Sequence, residues 1–310
     1  MGSVDVVIVS YNSAKTLRSV VEPLAGEADL SVTVVDNASA DHSVDSISGL
    51  RATVLRLAAN FGFAHGCNRG SEAGSAPFVL FLNPDCRIDP TSVRKLAAVF
   101  QQDSSVGLVA PLLVDGTGEL DFSQRRFPCL RSTFAQALFL HRCFPQSTWV
   151  DEAVRDPDAY RRQRSVDWVS GACVLVRRSA LERIGGWNEN FFLYGEDIDL
   201  CARLASFGYD VRFEPGAKAI HQGGSSAPRA QLLPTLTESR LRYGQLHFGT
   251  TRAATARLGV AIGELTHAVL TTKGRQWRRG HLSGFRVACS SIPTSPRPPA
   301  SVPPAAVSQQ

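Results

Sequence analysis

The chain of 310 residues is 44% hydrophobic and 20% charged, a composition that allows a large buried core and excludes an intrinsically disordered protein. Its formal charge of +5 is uneven, because the segment from Arg240 onward has ten Lys and Arg residues and one acid, so it carries +9 and the rest of the chain −4. No apolar run approaches the roughly 20 residues that span a bilayer, and seven cysteines without a Cys-x-x-Cys pair disfavour a disulfide framework and a zinc knuckle. We therefore predict a cytoplasmic protein whose basic C-terminal part meets an anionic membrane leaflet or a nucleic acid.

The first 35 residues predict a strand, a helix and a second strand. Residues 4–10 are apolar and rich in β-branched side chains, as in a strand that is buried on both faces. Apolar residues recur at helical spacing between residues 14 and 25, where Pro23 is expected to end the helix early. Residues 31–35 form the next apolar run. So short a strand–helix–strand segment implies a parallel βαβ unit.

Polar residues stand at the ends of these two strands. Ser10 and Asn12 follow the first strand, and Asp36 and Asn37 follow the second. Ligands of parallel sheets bind outside the carboxyl ends of the strands, so these four side chains are predicted to line a nucleotide site. The first turn reads Ser-Tyr-Asn-Ser-Ala-Lys and lacks the Gly-x-Gly-x-x-Gly sequence of dinucleotide-binding proteins, which disfavours a dehydrogenase.

A glycine-rich stretch follows the third predicted strand, at residues 52–57. Asn60 and Asn68 lie in it and offer both donors and acceptors to a ligand, although the stretch is equally typical of a plain turn into a helix near residues 65–74. The fourth strand, residues 77–82, ends in Asn83-Pro84-Asp85. A carboxylate at such a strand end commonly lies beside a phosphate-bound cation, but a lone Asp there is more often a turn residue.

The elements that follow are less regular, and the predicted ones are a helix at residues 92–101 and strands at residues 107–110, 166–169, 172–177 and 210–214. Residues 115–164 give no clear pattern, and Arg125 and Arg126 within them are either solvated or in contact with an anionic substrate. His221 comes after the last of these strands, in a polar glycine-rich loop, which makes it a better ligand candidate than a lone histidine usually is.

The stretch from Gly185 to Arg203 combines an aromatic loop with an acidic helix start. Glu196 and Asp197 lie in the first turn of a helix, where acids usually serve only capping and the helix dipole. The rings before them are more numerous than loop packing requires, and they suit a sugar or lipid acceptor beside a general base. We predict that this acceptor site contains Trp187, Phe192 and Tyr194.

Seven short motifs together resemble family-2 glycosyltransferases of the bacterial rhamnosyltransferase-like branch. Each is weak alone, but their order across residues 4–226 is highly specific. They are VSYN (9–12), VVDNASAD (34–41), NFGFAHGCNRG (60–70), LNPD (82–85), SGACVLVRR (170–178), GGWNENFFLYGEDIDLCAR (185–203) and HQGGSS (221–226). The resemblance implies a GT-A fold, a Rossmann-like and mostly parallel central sheet with flanking helices. It also implies transfer of a sugar from a nucleotide diphosphate with inversion at the anomeric carbon.

The resemblance also implies roles for individual residues. Asp36 would contact the nucleoside base or ribose, with Ser10 and Asn12 lining the nucleotide, and Asn37, Asn60 and Asn68 are further donor-site candidates. Asp85 would hold Mg²⁺ or Mn²⁺ on the diphosphate, and His221 would be a second metal or diphosphate contact. Asp197 would be the general base, with Glu196 as the next candidate. Asn83 stands where many relatives carry the first acid of Asp-x-Asp, which removes one charged ligand.

The sequence thus predicts an inverting, metal-assisted glycosyltransferase of cell-envelope polysaccharide assembly. The favoured reaction moves L-rhamnose from dTDP-L-rhamnose to a hydroxyl of a lipid-linked saccharide. The same chemistry on a soluble acceptor, or a non-catalytic nucleotide-sugar-binding protein, remains open. The expected organisation is a nucleotide-sugar half at 1–110, an acceptor and catalytic half at 111–236, a basic helical region at 237–290 and a proline-rich disordered tail at 291–310.

The basic helical region has two interpretations. One apolar stripe runs along it at helical spacing, and such a stripe is usually core; its members are Leu258, Ile262, Leu265, Val269 and Leu270. The cations just beyond it, around Trp277, are typical of an interfacial helix on anionic lipid. We predict peripheral binding to the inner face of the plasma membrane through residues 240–286, and no nucleic-acid partner.

Overall fold

The computed structural model describes residues 3–144, 147, 149–223 and 229–292. Within these ranges the strands are β1 (Val4–Ser10), β2 (Leu30–Asp36), β3 (Thr53–Arg56), β4 (Phe78–Leu82), β5 (Cys86–Ile88), β6 (Val106–Val114), β7 (Gln124–Arg125), β8 (Arg164–Ser165), β9 (Trp168–Val169), β10 (Cys173–Arg177) and β11 (Asp210–His221). The α-helices are α1 (Leu17–Ala25), α2 (Phe63–Glu72), α3 (Pro90–Gln102), α4 (Leu130–Ala137), α5 (Leu140–Cys143), α6 (Arg178–Arg183), α7 (Glu196–Ser206), α8 (Arg229–His247), α9 (Thr250–Leu270) and α10 (Arg275–Cys289).

A nine-stranded sheet organises the structure, in the order β3-β2-β1-β4-β10-β6-β11-β5 with β8 added beside β11. The strands β1 to β4 are mutually parallel, as are β6 and β11, whereas β10, β5 and β8 run antiparallel to their neighbours. The strands β7 and β9 form a separate ribbon. This confirms the predicted α/β fold with a mostly parallel central sheet and flanking helices.

The core lies on both faces of the sheet because side chains of a buried strand alternate between the two faces. In β1, Val6 and Ile8 pack with α1 and α3 on one face, while Val7 and Val9 pack with α2 and α7 on the other. Helix α2 approaches β1 unusually closely. A Cβ atom on Gly70 would lie 2.3 Å from Val7 Cγ1, so glycine is required for this approach.

Two sequence expectations are corrected by the structure. Pro23 does not end α1, which continues to Ala25; near the end of the helix its missing N–H costs a single hydrogen bond, and Leu24 is fully buried. Strand β11 continues past Glu214 to His221, because a register shift between Glu214 and Lys218 accommodates the intervening Pro-Gly pair. His221 is therefore the last residue of a strand rather than part of a loop.

The predicted domain boundaries fall within elements of the structure. Residue 110 lies inside β6, and residue 236 lies inside α8. The long helices α8, α9 and α10 pack on one another, and α9 also packs on α4, so part of the segment that gave no clear sequence pattern supports the C-terminal helices. No helix among the described residues is long and apolar enough to cross a membrane. The predicted tail beyond residue 292 lies outside the described residues.

Candidate active site

The carboxyl ends of β1 and β2 place the first predicted donor residues side by side. Ser10 pairs with Asp36 in the sheet, and the backbone N–H of Asn37 donates to the Ser10 carbonyl at 2.8 Å. All three are buried. Ser10 Oγ and Asn37 Oδ1 have no hydrogen-bond partner among the described residues. Buried polar atoms without partners are uncommon, so these two are candidates for contact with a polar ligand.

Asn12 shapes the loop that follows β2. Its backbone is left-handed, with φ of 51°. Its N–H donates to Ser39 Oγ at 3.0 Å, and its Oδ1 accepts from the Ala40 N–H at 2.9 Å. The Asp36 carboxylate accepts from the Ser39 N–H at 3.2 Å. The two strand ends and the polar loop are thus held together before any ligand binds.

Gly62 connects the polar residues at the ends of β1 and β2 to the aromatic loop that precedes α7. Its N–H donates to Asn60 Oδ1 at 3.0 Å, and its carbonyl accepts from Asn37 Nδ2 at 3.0 Å. Gly62 has φ of 93°, and a Cβ atom there would lie 2.4 Å from the Phe192 carbonyl oxygen. The next residue, Phe63, donates its N–H to that same oxygen at 3.0 Å. Asn60 therefore shapes the turn that connects the two sides.

Asn68 does not join the donor group. Its Oδ1 accepts from the Trp187 N–H at 2.8 Å, and its Nδ2 donates to the Trp187 carbonyl at 2.9 Å and to Glu189 Oε1 at 2.7 Å. The amide is engaged on both sides with the aromatic loop. In this structure Asn68 anchors that loop to α2, and its role at the donor site stays a prediction.

The aromatic loop contributes less surface than the sequence suggested. Trp187 is only 2% exposed, and its ring packs edge-on against Phe63 and Phe81 at centroid distances of 5.6 and 5.1 Å. Phe192 is also buried. Neither ring is available to an acceptor, because both fill the core beneath the loop. Tyr194 remains partly exposed, with φ of 67°, two residues before the start of α7.

Asp85 and His221 meet although 136 positions separate them in the chain. His221 pairs with Cys86 across β11 and β5, and its Nε2 lies 3.5 Å from Asp85 Oδ1. On the other side of the ring, Nδ1 lies 3.8 Å from Asp121 Oδ2. Burial disfavours the charged imidazole, but the neighbouring Asp121 and Asp85 carboxylates outweigh it and raise the pKa of His221 to about 10. The sequence analysis missed Asp121, which lies in the segment without a clear pattern.

Asp85 and His221 are suited to bind a divalent cation whose remaining ligands include a bound diphosphate. Among the described residues, no group of three or more His, Cys, Asp or Glu side chains is placed to hold a metal ion alone. Mg²⁺ is typically bound by one or two carboxylates together with substrate phosphates, so the buried Asp85 carboxylate and one imidazole nitrogen suffice. Asn83, whose N–H donates to the Ala172 carbonyl at 2.9 Å, ties this strand end to β10.

Asp197 lies in the first turn of α7, against the loop before β10. Its Oδ2 accepts from the Gly171 N–H at 3.1 Å, and its Oδ1 accepts from the Ile198 N–H at 2.8 Å. A Cβ atom on Gly171 would lie 3.1 Å from Asp197 Cβ, so glycine permits this approach. Burial raises the pKa of Asp197 above 3.8, and the two N–H donors only partly oppose the rise. The carboxylate is thereby oriented and made more basic.

Glu196 differs sharply from its neighbour. It is 6% exposed, and its Oε2 has no hydrogen-bond partner in the described part of the chain. Burial, followed by repulsion from Asp197, raises the pKa of Glu196 to about 8. At neutral pH its carboxyl is mostly protonated, which makes it a poor proton acceptor.

The structure adds a buried network that the sequence analysis missed. The Asp199 carboxylate is fully buried and accepts from Arg203 Nε at 2.7 Å, and it lies 2.8 Å from His247 Nε2. Arg203 also donates to the carbonyls of Ile184 and Gly186. Burial would raise the pKa of Asp199, but His247 and Arg203 more than offset it and lower the pKa. This network ties the aromatic loop that precedes α7 to α7 and α8. The ion pair of Asp199 with Arg203 could have been predicted, because the two residues are four positions apart on a helix. The contact of Asp199 with His247 could not.

Arg125 is the cation nearest to the chemistry among those left open above. It lies on β7 opposite Trp168, whose ring centroid is 5.6 Å from its guanidinium carbon. Its charge acts to lower the pKa of Asp197, against the effect of burial. No carboxylate within the described ranges forms an ion pair with Arg125. Solvation and contact with an anionic substrate both remain compatible with this position of Arg125.

Comparisons with known proteins show the family to which the chain belongs. A family model described as "Glycosyl transferase family 2" matches residues 5–185, more than half of the chain. The chain belongs to glycosyl transferase family 2. A further model, described as "N-terminal domain of galactosyltransferase", matches residues 155–222 of this glycosyltransferase.

Two relatives of this family-2 glycosyltransferase align with most of the chain and with about half of it, respectively. It is 32% identical over 239 residues to N-acetylglucosaminyl-diphospho-decaprenol L-rhamnosyltransferase of Mycobacterium tuberculosis, covering 72% of this chain and 77% of the relative. It is 30% identical over 145 residues to rhamnosyltransferase WbbL of Escherichia coli, covering 46% and 52%.

A solved structure confirms the expected GT-A architecture. Mannosyltransferase PcManGT from Pyrobaculum calidifontis, in complex with GDP-Man and Mn²⁺, superposes with a TM-score of 0.57 at 14% identity. The match covers 93% of this chain and 86% of that one. At this identity the likeness concerns the fold alone.

Proposed function

We propose that this glycosyltransferase moves L-rhamnose, with inversion, from dTDP-L-rhamnose to a hydroxyl of a lipid-linked saccharide in cell-envelope polysaccharide assembly. The main support is the extended match to a relative named as a rhamnosyltransferase of N-acetylglucosaminyl-diphospho-decaprenol. A single displacement needs a polar donor site, a carboxylate for a cation and one oriented base, and Ser10 with Asn37, Asp85 and Asp197 are the respective candidates. No pair of catalytic carboxylates is required, in contrast to hydrolysis by paired acids.

In the proposed mechanism, Asp197 accepts the proton of the acceptor hydroxyl as the oxygen attacks the anomeric carbon. A sugar hydroxyl is a poor nucleophile at neutral pH, and a positioned base typically contributes roughly 10²–10⁴-fold in rate. The N–H groups of Gly171 and Ile198 hold both oxygens of the base in place. The raised pKa of Glu196 beside it favours the neutral carboxyl, so Glu196 adds little negative charge to a turn that already contains the Asp199 carboxylate.

On the donor side, Ser10, Asn12 and Asp36 would line the nucleotide, and the unpartnered Ser10 Oγ and Asn37 Oδ1 face no competing protein group. Asp85, with His221, would hold Mg²⁺ or Mn²⁺ on the diphosphate. When bound, such a cation stabilises the negative charge that the leaving diphosphate gains. A metal ligand must be a neutral imidazole, so cation binding would displace the proton that Asp85 and Asp121 now favour on His221.

On the acceptor side, Tyr194 is the ring best placed to contact a saccharide, since it is partly exposed and lies two residues before the helix of the base. The lipid part of the acceptor would lie in the membrane. We propose that the enzyme binds peripherally, at the cytoplasmic face of the plasma membrane, through residues 240–286, and that it has no nucleic-acid partner. The excess charge of +9 from Arg240 onward supports this attachment.

The direct test is transfer by the purified protein with Mn²⁺ and a panel of nucleotide sugars. The acceptors would be a polyprenyl-diphospho-N-acetylglucosamine and a soluble N-acetylglucosaminide. We expect a rhamnosylated lipid product only with dTDP-L-rhamnose, and no product with Asp197→Asn. Faster transfer to the soluble acceptor would favour the alternative substrate class. Donor binding without transfer or donor hydrolysis would favour a non-catalytic nucleotide-sugar-binding protein.

A further inference from the structure

The apolar stripe of α9 faces outward rather than into the core. Leu258, Leu265 and Val269 are spaced by seven and four residues, so they lie on one face of the helix, and all three are exposed. The inner face is formed by small residues instead. A Cβ atom on Gly259 would lie 3.0 Å from Thr133 Cγ2 of α4, whereas Gly263 has room for one 3.4 Å from Ala137. Nothing among the described residues covers the outer stripe.

The end of this stripe meets two other helix ends. Thr266 Oγ1 donates to the Ala137 carbonyl at 2.7 Å, which places the end of α4 against the last turns of α9. A row of rings then connects three helices. The Phe139 and His267 centroids are 4.2 Å apart, His267 and His281 are 5.3 Å apart, and His281 and Trp277 are 6.2 Å apart. The end of α4, the end of α9 and the start of α10 therefore form one surface.

Both large apolar side chains and unpaired cations are concentrated on this surface. Val269 is 65% exposed, Leu270 61% and Leu138 59%, and these are among the most exposed large apolar residues that the structure describes. The cations around them are also exposed and form no ion pair with any described carboxylate. They are Arg142, Lys273, Arg275, Arg278 and Arg279. We call the eight residues together the apolar–basic end.

Charge and shape favour one occupant for this end. The segment 265–289 contains five Lys and Arg residues and no acid, so its partner is expected to be anionic. Its apolar side chains are exposed beside these cations, a combination that suits the boundary between lipid headgroups and acyl chains. Lys273 Nζ lies 4.4 Å from the centroid of Trp277, an aromatic–cation pair typical of such a boundary.

We propose that the apolar–basic end inserts into the headgroup region of a bilayer that contains anionic lipid. The proposal rests on the proposed function in that a lipid-linked acceptor gives the contact its purpose, and it goes further by including Leu138 and Arg142. These residues precede Val269 by more than 120 positions and lie outside the segment from which the sequence predicted membrane contact. Only the folded chain brings the two regions together.

Flotation of the full chain with phosphatidylcholine vesicles, with and without phosphatidylglycerol, tests the proposal. We expect binding only to the anionic vesicles at low salt, and a bound-to-free ratio at least about tenfold lower for Leu138→Glu and for Val269→Glu/Leu270→Glu. Phe207→Glu, another exposed apolar residue, is the matched control and should bind like the wild type. Lys273→Glu/Arg278→Glu should also lose binding, whereas Arg161→Glu, a highly exposed cation elsewhere, should not.

Equal binding of the Leu138 and Phe207 variants would overturn the assignment of this end. So would equal binding to neutral and anionic vesicles, or a wild-type dimer that Val269→Glu/Leu270→Glu converts to a monomer, because the surface would then bind a second copy. Vesicle binding needs no donor sugar. If it is retained while no rhamnosyl transfer is found, the proposed function fails and the membrane surface remains.

Discussion

Replacing Glu196 with Gln should stabilise the protein at high pH and leave transfer largely intact. An acid whose pKa is raised in the folded state keeps its proton there while the unfolded chain has already lost it. The contribution of Glu196 to stability is therefore greatest below its unfolded-state pKa of 4.5. It falls as pH rises and reaches its minimum above the folded-state pKa of about 8. Glutamine has nearly the same shape and no proton to lose, so the variant should escape this penalty.

The magnitude follows from the two pKa values. Each tenfold change in proton affinity corresponds to about 1.4 kcal/mol, so a change from 4.5 to about 8 sets a ceiling of a few kcal/mol. Relaxation of the interior and the ionisation of Asp197 reduce it, and we expect roughly 1–3 kcal/mol. This gain is the effect of the substitution on the free energy of unfolding at pH 9 minus its effect at pH 5. The difference is used because the amide adds a buried N–H group that has its own cost at every pH.

Urea unfolding at pH 5, 7 and 9 measures this difference as a slope against pH. Asp115→Asn is the control: hydrogen bonds from Thr117 lower the pKa of Asp115, so Asp115 is ionised throughout this range and its slope should be flat. A flat slope for Glu196→Gln as well would show that the buried carboxyl does not retain its proton. Loss of most transfer activity at pH 7 in Glu196→Gln would show that Glu196, not Asp197, is the base.

Three further predictions address the site. Asp197→Asn should lower kcat by roughly 10²–10⁴-fold with donor binding retained, and more than about a tenth of wild-type turnover would contradict the role of Asp197 as the base. In the wild type, kcat/KM should fall as pH drops through the raised pKa of Asp197. Asp85→Ala should weaken donor affinity in calorimetry with Mn²⁺ but not with a chelator, and normal turnover of the chelated wild type would exclude a metal role for Asp85. His247→Ala should cost about 1–3 kcal/mol in urea unfolding and lower kcat, because it leaves the buried Asp199 carboxylate without one donor; His247→Gln should restore part of both, and unchanged unfolding of His247→Ala would exclude a structural bond there.

Patterns within a strand or a helix were sufficient to predict the local structure. The apolar run that became β1 has the predicted bounds, and the polar residues at the ends of β1 and β2 are adjacent because parallel strands end at the same edge. Element ends were less accurate where a local rule was overridden. Pro23 stays within α1, and β11 continues through a proline because a shift in register removes the conflict.

Contacts between distant segments could not be predicted from the sequence. Ring content alone does not say which way a ring points, and Trp187 fills the core although its loop is polar on both sides. Asn68 has donors and acceptors suited to a ligand, yet the folded chain places the backbone of Trp187 against them. Asp121 and His247 carry no local signal, since their partners lie 100 and 48 positions away.

The contacts of α8 with the catalytic loop affect how the enzyme can be shortened. Ser239 Oγ donates to the Leu193 carbonyl at 3.0 Å, and His247 reaches the buried Asp199. Proteolytic removal of the chain after Arg240 would cut α8 in its middle and remove the contact of His247 with α7, the helix that carries Asp197. Limited proteolysis should therefore give no active core lacking the C-terminal helices. Insertions and deletions in this region should abolish turnover even where they spare the sheet.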